Sequence, residues 1–229
     1  MSTTDTQTHV MKVIHVHTLA PQIIQLLLKP EHPISYTSGD YIMLGFETDE
    51  LKPFSIANAP REDGLIECHI RKQPNNEWME KLFAVQAGDN LVMQGPKPQM
   101  ALMPAHEAII FVAGGTGFAP LRALLIESLR QNIQVPITFY WGVRTADDLY
   151  MHDWLIDLMQ KEPHINYVPV VSDEIQDWKG ETGLVHETVL KHHASLAHAS
   201  VYMCGPWAMI QTAKQAFIDA GLSQEKLVH

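Results

Sequence analysis

Cysteine is nearly absent: Cys68 and Cys204 are the two in 229 residues. That excludes a disulfide scaffold, a structural zinc site and any four-thiolate iron–sulfur cluster. It fits a reducing, cytoplasmic setting. Basic residues are also scarce, 16 Lys and Arg against 26 Asp and Glu, for a formal net charge of −10. Long-range repulsion then disfavours nucleic acid and anionic membrane as partners, while leaving room for a local anion site. Long hydrophobic runs are missing too. The longest clean one, Ala108 to Ala113, falls far short of the ~20 residues of a membrane helix. Met1 to Val10 is polar and lacks the basic start and apolar core of a signal peptide. With 46% hydrophobic and 18% charged residues, the chain has enough apolar content to exclude disorder.

What is present falls into two textures. The first half reads as short strands and turns. His9 to His17 is apolar at alternate positions (Val10, Ile14, Val16), and Ile23 to Leu28 follows Pro21 and is closed by Lys29-Pro30. Thr37-Ser38-Gly39-Asp40 is a turn signal before Tyr41 to Phe46, and Lys52 to Ala57 is a further candidate strand. Leu65 to Arg71 alternates, with Ile66, Cys68 and Ile70 on one face and Glu67, His69 and Arg71 on the other. A short helix over Glu77 to Val85 precedes a strand over Asn90 to Gln94. Many short strands at this spacing predict a barrel or sandwich.

After Pro104 strands alternate with helices of about a dozen residues. Strands are expected at Ala108–Ala113, Ile137–Trp141, Asn166–Val171 and Val201–Cys204. Helices are expected at Pro120–Gln131, Asp147–Lys161, Gly183–His193 and Trp207–Ala220. This pattern predicts a doubly wound parallel sheet. The boundary falls near Met103 to His106, giving a β domain over residues 1–104 and an α/β domain over residues 105–229.

Gly114-Gly115-Thr116-Gly117-Phe118-Ala119-Pro120 lies between a buried strand and a helix. Glycines there let backbone N–H groups approach a phosphate, Thr116 adds a hydroxyl, and Pro120 suits the first helical turn. The helix dipole favours a pyrophosphate without any lysine. The run is neither the G-x-G-x-x-G fingerprint nor a P-loop, and it also reads as a tight turn with no ligand. Lys52-Pro53-Phe54-Ser55 offers an aromatic ring, a hydroxyl and an ammonium in one strand; an ordinary edge strand has the same look. Cys204-Gly205-Pro206 ends a parallel strand, at the sheet edge where ligands lie in such folds, or it is a buried cysteine acting as a small hydrophobe. Trp141 reads as core. Asp147-Asp148 reads as a helix N-cap. His15 with His17, and His192, His193 and His198, lack a carboxylate-and-His set at ligand spacing, so they read as solvated surface and no metal is expected.

A Lys-Pro-Phe-Ser strand, then Gly-Gly-Thr-Gly-Phe-x-Pro, then Tyr140-Trp141-Gly142-Val143-Arg144, then Cys-Gly-Pro, in that order, resembles the ferredoxin–NADP reductase superfamily. Within it the chain is similar to the bacterial NAD(P)H–flavin reductases, including the type that supplies luciferase. Ser38-Gly39-Asp40-Tyr41, Ile66-Glu67-Cys68-His69-Ile70 and the run from Val168 to Gly183 extend the resemblance. It implies an antiparallel β-barrel flavin domain followed by an α/β NAD(P)H domain. It implies that Lys52, Pro53, Phe54 and Ser55 bind flavin, with the Ser55 hydroxyl facing flavin N5 as an orienter. It further implies that Gly114, Gly115, Thr116, Gly117 and Pro120 receive the pyrophosphate of NADH or NADPH. Arg144 would then lie near the adenosine, and Cys204, Gly205 and Pro206 on the nicotinamide side. The cofactors carry the hydride transfer, and the protein aligns their rings.

Two departures bear on how flavin is held. Lys52 stands where tightly binding relatives usually carry Arg, and an ammonium lacks the bidentate phosphate contact of a guanidinium. The stretch Arg71 to Trp78 lacks the Gly-x-x-Ser/Thr turn that holds a flavin pyrophosphate. Riboflavin, FMN or FAD is therefore expected as an exchangeable substrate, its reduced form passing to a flavin-dependent oxygenase or to ferric chelates. Two alternatives stay open. One is a reductase with bound FAD serving a separate ferredoxin or oxygenase, the branch in which Cys-Gly-Pro is more typical. The other is a nucleotide-binding regulatory subunit without turnover. Arg144 could favour NADPH, but Ser172-Asp173-Glu174 puts acid nearby, so NADH is expected to serve at least as well. Relatives often end in an aromatic residue over the flavin. Here the sequence ends Lys226-Leu227-Val228-His229, which implies an open pocket or a tail beyond the sequence given.

Overall fold

A computed structural model describes residues 7–104, 107–173 and 177–229. The chain separates into two compact units, Met1–Leu102 with Arg122–Glu127 and Met103–Leu121 with Ser128–His229. Ala105 and His106, at the expected boundary, lie outside the described residues, as does Glu174.

The first unit holds β1 (Thr8–Ala20), β2 (Ile23–Pro30), β3 (Tyr41–Gly45), β4 (Lys52–Ser55), β5 (Ile66–Arg71), α1 (Glu77–Phe83) and β6 (Asn90–Lys97). The sheet runs β4-β3-β6-β1-β2-β5, and its strand pairs are antiparallel. Past β4 the chain meets β5: the Ala57 N–H donates to the Glu67 carbonyl at 2.8 Å, and the Glu67 N–H donates to Asn58 Oδ1 at 2.8 Å. The sheet thus curls toward a barrel around Met11, Leu26, Leu28, Ile42, Leu44 and Met93.

The inward face of β1 differs from the expected one. Val10 and Ile14 are exposed, while Met11 and Val13 fill the core. A register shift between Val13 and His15 then reverses the phase, and Val16 packs on the core. A β-bulge is invisible to period-2 reading because it changes which residues share a face. The turn before β3 does need its glycine. Gly39 has φ +96°, and a Cβ there would press on the Met100 carbonyl, while the Asp40 carboxylate accepts from the Thr37 N–H at 2.8 Å.

The second unit holds β7 (Ala108–Gly114), β8 (Ile137–Val143), β9 (Ile165–Val171), β10 (Glu181–Thr182), β11 (Ala199–Cys204) and β12 (Leu227–Val228). Its parallel sheet has the order β10-β9-β8-β7-β11-β12. The helices are α2 (Phe118–Arg130), α3 (His152–Lys161), α4 (Val185–His192) and α5 (Trp207–Asp219); the Arg122–Glu127 stretch of α2 belongs to the first unit. The helix expected from Asp147 is shorter. Residues 146–148 form one 3₁₀ turn, ended at Leu149, where φ −80° and ψ 57° leave helical geometry. Asp147 and Asp148 therefore do not cap α3, whose N-cap position is Met151 with no side-chain bond. Leu149 is buried, and its non-helical backbone separates the 3₁₀ turn from α3. Likewise Gly183 has φ +101°, so α4 starts later than expected, at Val185.

Candidate active site

Three of the sequence motifs converge within the second unit, at the carboxyl ends of β7, β8 and β11. The register pairs Ala113 with Cys204 and Gly114 with Gly142, so Gly114–Gly117 leaves the sheet beside Cys204–Pro206. The approach is too close for side chains. A Cβ on Gly117 would lie 2.1 Å from the Cys204 carbonyl oxygen, one on Gly114 2.6 Å from Met209 Sδ, and one on Gly205 2.9 Å from Gly114 Cα. Gly115 is different: it has φ +54° and open space around it. Three glycines are thus demanded by packing and one by backbone conformation, and the last has open space beside it.

Trp141 holds this turn from behind. It is fully buried, its ring lies 4.0 Å from that of Phe118 at an interplanar angle of 15°, and its indole N–H donates to the Gly115 carbonyl at 2.9 Å. Core packing, the sequence reading, is only half of its role. α2 begins directly after the turn; the Phe118 N–H donates back to the Gly115 carbonyl, and the N–H groups that follow it in the first helical turn lie at the positive end of the helix dipole. Thr116 is half-buried, and Pro120, in the first helical turn, is buried. This set fits a dinucleotide pyrophosphate. Burial pushes the Cys204 thiol up to about 11, so it is a neutral thiol at working pH rather than a nucleophile.

Arg144, just past β8, is largely exposed, with 82% of its side-chain surface accessible. Its Nε and Nη2 both donate to Asp173 Oδ2, at 3.2 and 3.1 Å, while the Ser172 hydroxyl donates to Asp173 Oδ1 at 3.2 Å. The basic and acidic groups that the sequence placed near an adenosine are thus paired with each other. Such exposed pairs contribute little, ~0–1 kcal/mol.

In the first unit, cross-strand pairing fixes what Lys52–Ser55 presents. Ser55 faces Tyr41 and Pro53 faces Met43, whereas Phe54 pairs with Ile42 and Lys52 with Leu44. Ile42 and Leu44 are fully buried, so Phe54 and Lys52 sit on the core side. There the Phe54 ring stacks on Trp78 of α1 (centroids 6.1 Å, 14°), and the Lys52 ammonium lies 5.3 Å from the same indole. The Ser55 hydroxyl is half-buried and makes no hydrogen bond among the described residues, so it fits a role as donor to a ring nitrogen. In the stretch that lacks a Gly-x-x-Ser/Thr turn, Asn76 caps α1 by accepting from the Met79 N–H at 3.0 Å.

Beside this strand lies a buried polar network that alternation in β5 did not reveal. Glu67 is 3% exposed and His69 6%, so both faces of β5 are buried. Glu67 Oε1 accepts from Gln25 Nε2 at 2.6 Å and stands 2.8 Å from His69 Nε2. Its Oε2 is 3.4 Å from Arg122 Nη1, which donates to the Ala57 carbonyl at 2.7 Å. Burial raises the Glu67 carboxyl, but the His69 hydrogen bond and the Arg122 charge outweigh it and bring the group down to about 2. Burial likewise keeps His69 neutral although Glu67 favours its protonated form. The pair is a carboxylate bonded by a neutral imidazole, with Arg122 as counter-charge. The available signal was Arg122 itself, a lone charge within the apolar run Leu121 to Leu125.

The histidines expected as surface are so at His15, His17 and His198. His193 is half-buried instead, because its Nε2 lies 3.0 Å from the hydroxyl of buried Tyr140. Among the described residues no group of three or more His, Cys, Asp or Glu is placed to hold a metal, and no helix is long and apolar enough to cross a membrane.

Comparison with known proteins agrees with this layout. Residues 11–101 match the oxidoreductase FAD-binding domain family, and residues 111–215 match the oxidoreductase NAD-binding domain family. The NAD(P)H-flavin reductase of Aliivibrio fischeri is 32% identical over 213 residues, covering 90% of each chain. The CDP-6-deoxy-L-threo-D-glycero-4-hexulose-3-dehydrase reductase of Yersinia pestis is 36% identical over 208 residues, 89% of this chain. The chain spans 62% of that protein's length. The crystal structure of an Amycolatopsis cytochrome P450 reductase superposes with a TM-score of 0.90 at 26% identity, over 99% of this chain and 72% of that one. With a flavin-type β unit, a nucleotide-type α/β unit and this similarity along nearly its whole length, the chain belongs to the ferredoxin reductase-type family of FAD- and NAD-binding oxidoreductases, together with the bacterial NAD(P)H–flavin reductases.

Proposed function

We propose that this protein is an NAD(P)H-dependent flavin reductase that takes flavin as an exchangeable substrate and releases it reduced. When bound, the cofactors supply the chemistry, a hydride passed from C4 of a reduced nicotinamide to N5 of the flavin. The chain binds and orients: Gly114 to Gly117 and Pro120 receive the pyrophosphate, Cys204 to Pro206 flank the nicotinamide, and Ser55 donates a hydrogen bond toward N5. Lys52, Pro53 and Phe54 complete the flavin strand. On this reading the flavin domain is residues 1–104 and the NAD(P)H domain residues 105–229.

The observation that carries the reading is the segment 71–78. Where a glycine-rich turn would grip a flavin pyrophosphate, the chain instead caps and starts α1, and Trp78 occupies Phe54 and Lys52. Losing several charge-assisted bonds of ~1.5–3 kcal/mol each lowers affinity by orders of magnitude. Reduced flavin would pass to a flavin-dependent oxygenase or to ferric chelates. Two free cysteines fit a reducing cytoplasm. Because Asp173 already holds Arg144, NADH serves at least as well as NADPH.

A second reading, a reductase with resident FAD that feeds a ferredoxin or oxygenase, is supported by the Cys204-Gly205-Pro206 motif, more typical of that branch, and by the similarity to a cytochrome P450 reductase. Gel filtration of the protein loaded with FAD separates the two. Exchangeable flavin is lost on the column; resident FAD stays in stoichiometric amount.

A further inference from the structure

We propose that Trp78 competes with flavin for the Lys52–Ser55 strand and thereby sets how loosely flavin is held; this rests on the flavin-reductase reading above. A single indole engages two of the four residues of that strand, stacking on Phe54 (6.1 Å, 14°) and lying under the Lys52 ammonium at 5.3 Å. Phe46 meets the same indole edge-on at 5.6 Å, and the Lys81 ammonium lies 4.1 Å from the Phe46 ring. The indole thus has two aromatic partners, Phe54 and Phe46, and one cation, Lys52, the contacts that a planar electron-rich ring prefers.

Two further observations mark this as a displaceable arrangement rather than ordinary core. The indole N–H is buried with no hydrogen-bond partner, an unsatisfied donor that works against the packed position. The indole also borders an open cleft of about 530 Å³, shared with Lys52, Lys81, Asp49, Glu50 and Glu77. An isoalloxazine is, like indole, a flat fused ring system, and it would take Phe54 as a stacking partner by the same physics. Flavin binding is then the difference between two similar stacks, so affinity stays modest and exchange stays fast. The three carboxylates of the cleft add no attraction for a long phosphate chain, so the device suits riboflavin or FMN at least as well as FAD.

The test is an equilibrium titration of FMN, without NADH, read by quenching of flavin fluorescence, on the wild type, Trp78→Ala and Trp78→Phe. Removing the competitor should tighten FMN binding about tenfold in Trp78→Ala, with Trp78→Phe between it and the wild type. Unchanged or weaker binding in both variants, with thermal unfolding like that of the wild type, would overturn the proposal and make Trp78 a support for Phe54. Trp78→Phe keeps a ring in the cluster and carries the test if the alanine variant fails to fold. A wild type that neither quenches FMN nor oxidises NADH with it would overturn the flavin-reductase reading itself, and this proposal with it. Normal turnover with unchanged affinity in the variants sinks the proposal alone.

Discussion

The indole N–H of Trp141 donates to the carbonyl of Gly115 at 2.9 Å, tying the end of β8 to the glycine turn that follows β7. One buried side chain thus satisfies a carbonyl in an irregular segment and stacks on Phe118 at the start of α2. The turn is consequently shaped before any ligand arrives, which lowers the ordering cost of binding.

Replacing Trp141 with Phe removes that bond, leaving the carbonyl with the Phe118 N–H alone, and opens space in a buried aromatic stack. We expect a loss of about 1–3 kcal/mol in stability and a raised KM for NADH, with KM for flavin unchanged. Denaturant titration with steady-state kinetics checks both. An unchanged KM for NADH would confine Trp141 to packing.

The glycines of the turn should separate by substitution. Gly115→Asn keeps a residue type tolerant of positive φ in open space, so thermal unfolding should stay near wild type while NAD⁺ affinity falls. Gly117→Ala forces a methyl group into the Cys204 carbonyl and should lose several kcal/mol or fail to fold. Equal stability of the two variants would contradict the packing described here.

Glu67 and His69 make stability depend on acid. His69 is held below its ordinary 6.5 and Glu67 is lowered from 4.5 to about 2, so in both cases the unfolded chain binds protons more readily. Their stabilisation is present above those ordinary values and is lost as pH falls, first below about 6.5 and then from 4.5 toward 2. Glu67→Gln should destabilise at neutral pH and flatten the acid limb below pH 4.5. A Tm-against-pH series on both proteins measures it; parallel curves would exclude the Glu67 contribution.

Ser55→Ala removes one hydroxyl from the half-buried outer side of β4. The hydride step should slow about 3- to 10-fold, the worth of one hydrogen bond, with unfolding unaffected. Stopped-flow oxidation of NADH with FMN reads the step. Unchanged turnover would reduce Ser55 to packing.

Asp173→Asn frees Arg144 from its pair. The ratio of kcat/KM for NADPH over NADH should rise several-fold, since the guanidinium then meets a 2′-phosphate without a competitor. A wild type that already prefers NADPH strongly would contradict the assignment of Asp173.

Local signals made much of this legible. Strand–glycine–helix order exposed the parallel sheet, and Gly39 and Gly114–Gly117 sit where backbone geometry needs them. The bulge after Val13 escaped, because one extra residue inverts a period-2 pattern. So did the roles of Trp78, Trp141 and Arg122, which depend on partners at Phe54, Gly115 and Glu67, far away in the chain. Sequence spacing reports which residues share a face; it does not report which distant residue that face will meet.

The most direct test of exchangeable flavin is NADH consumption by the purified protein, with and without added FMN, alongside its visible spectrum. The account predicts a colourless protein that oxidises NADH only when FMN is supplied. A yellow protein that keeps stoichiometric FAD through gel filtration and gains no NADH oxidation from added FMN would contradict it.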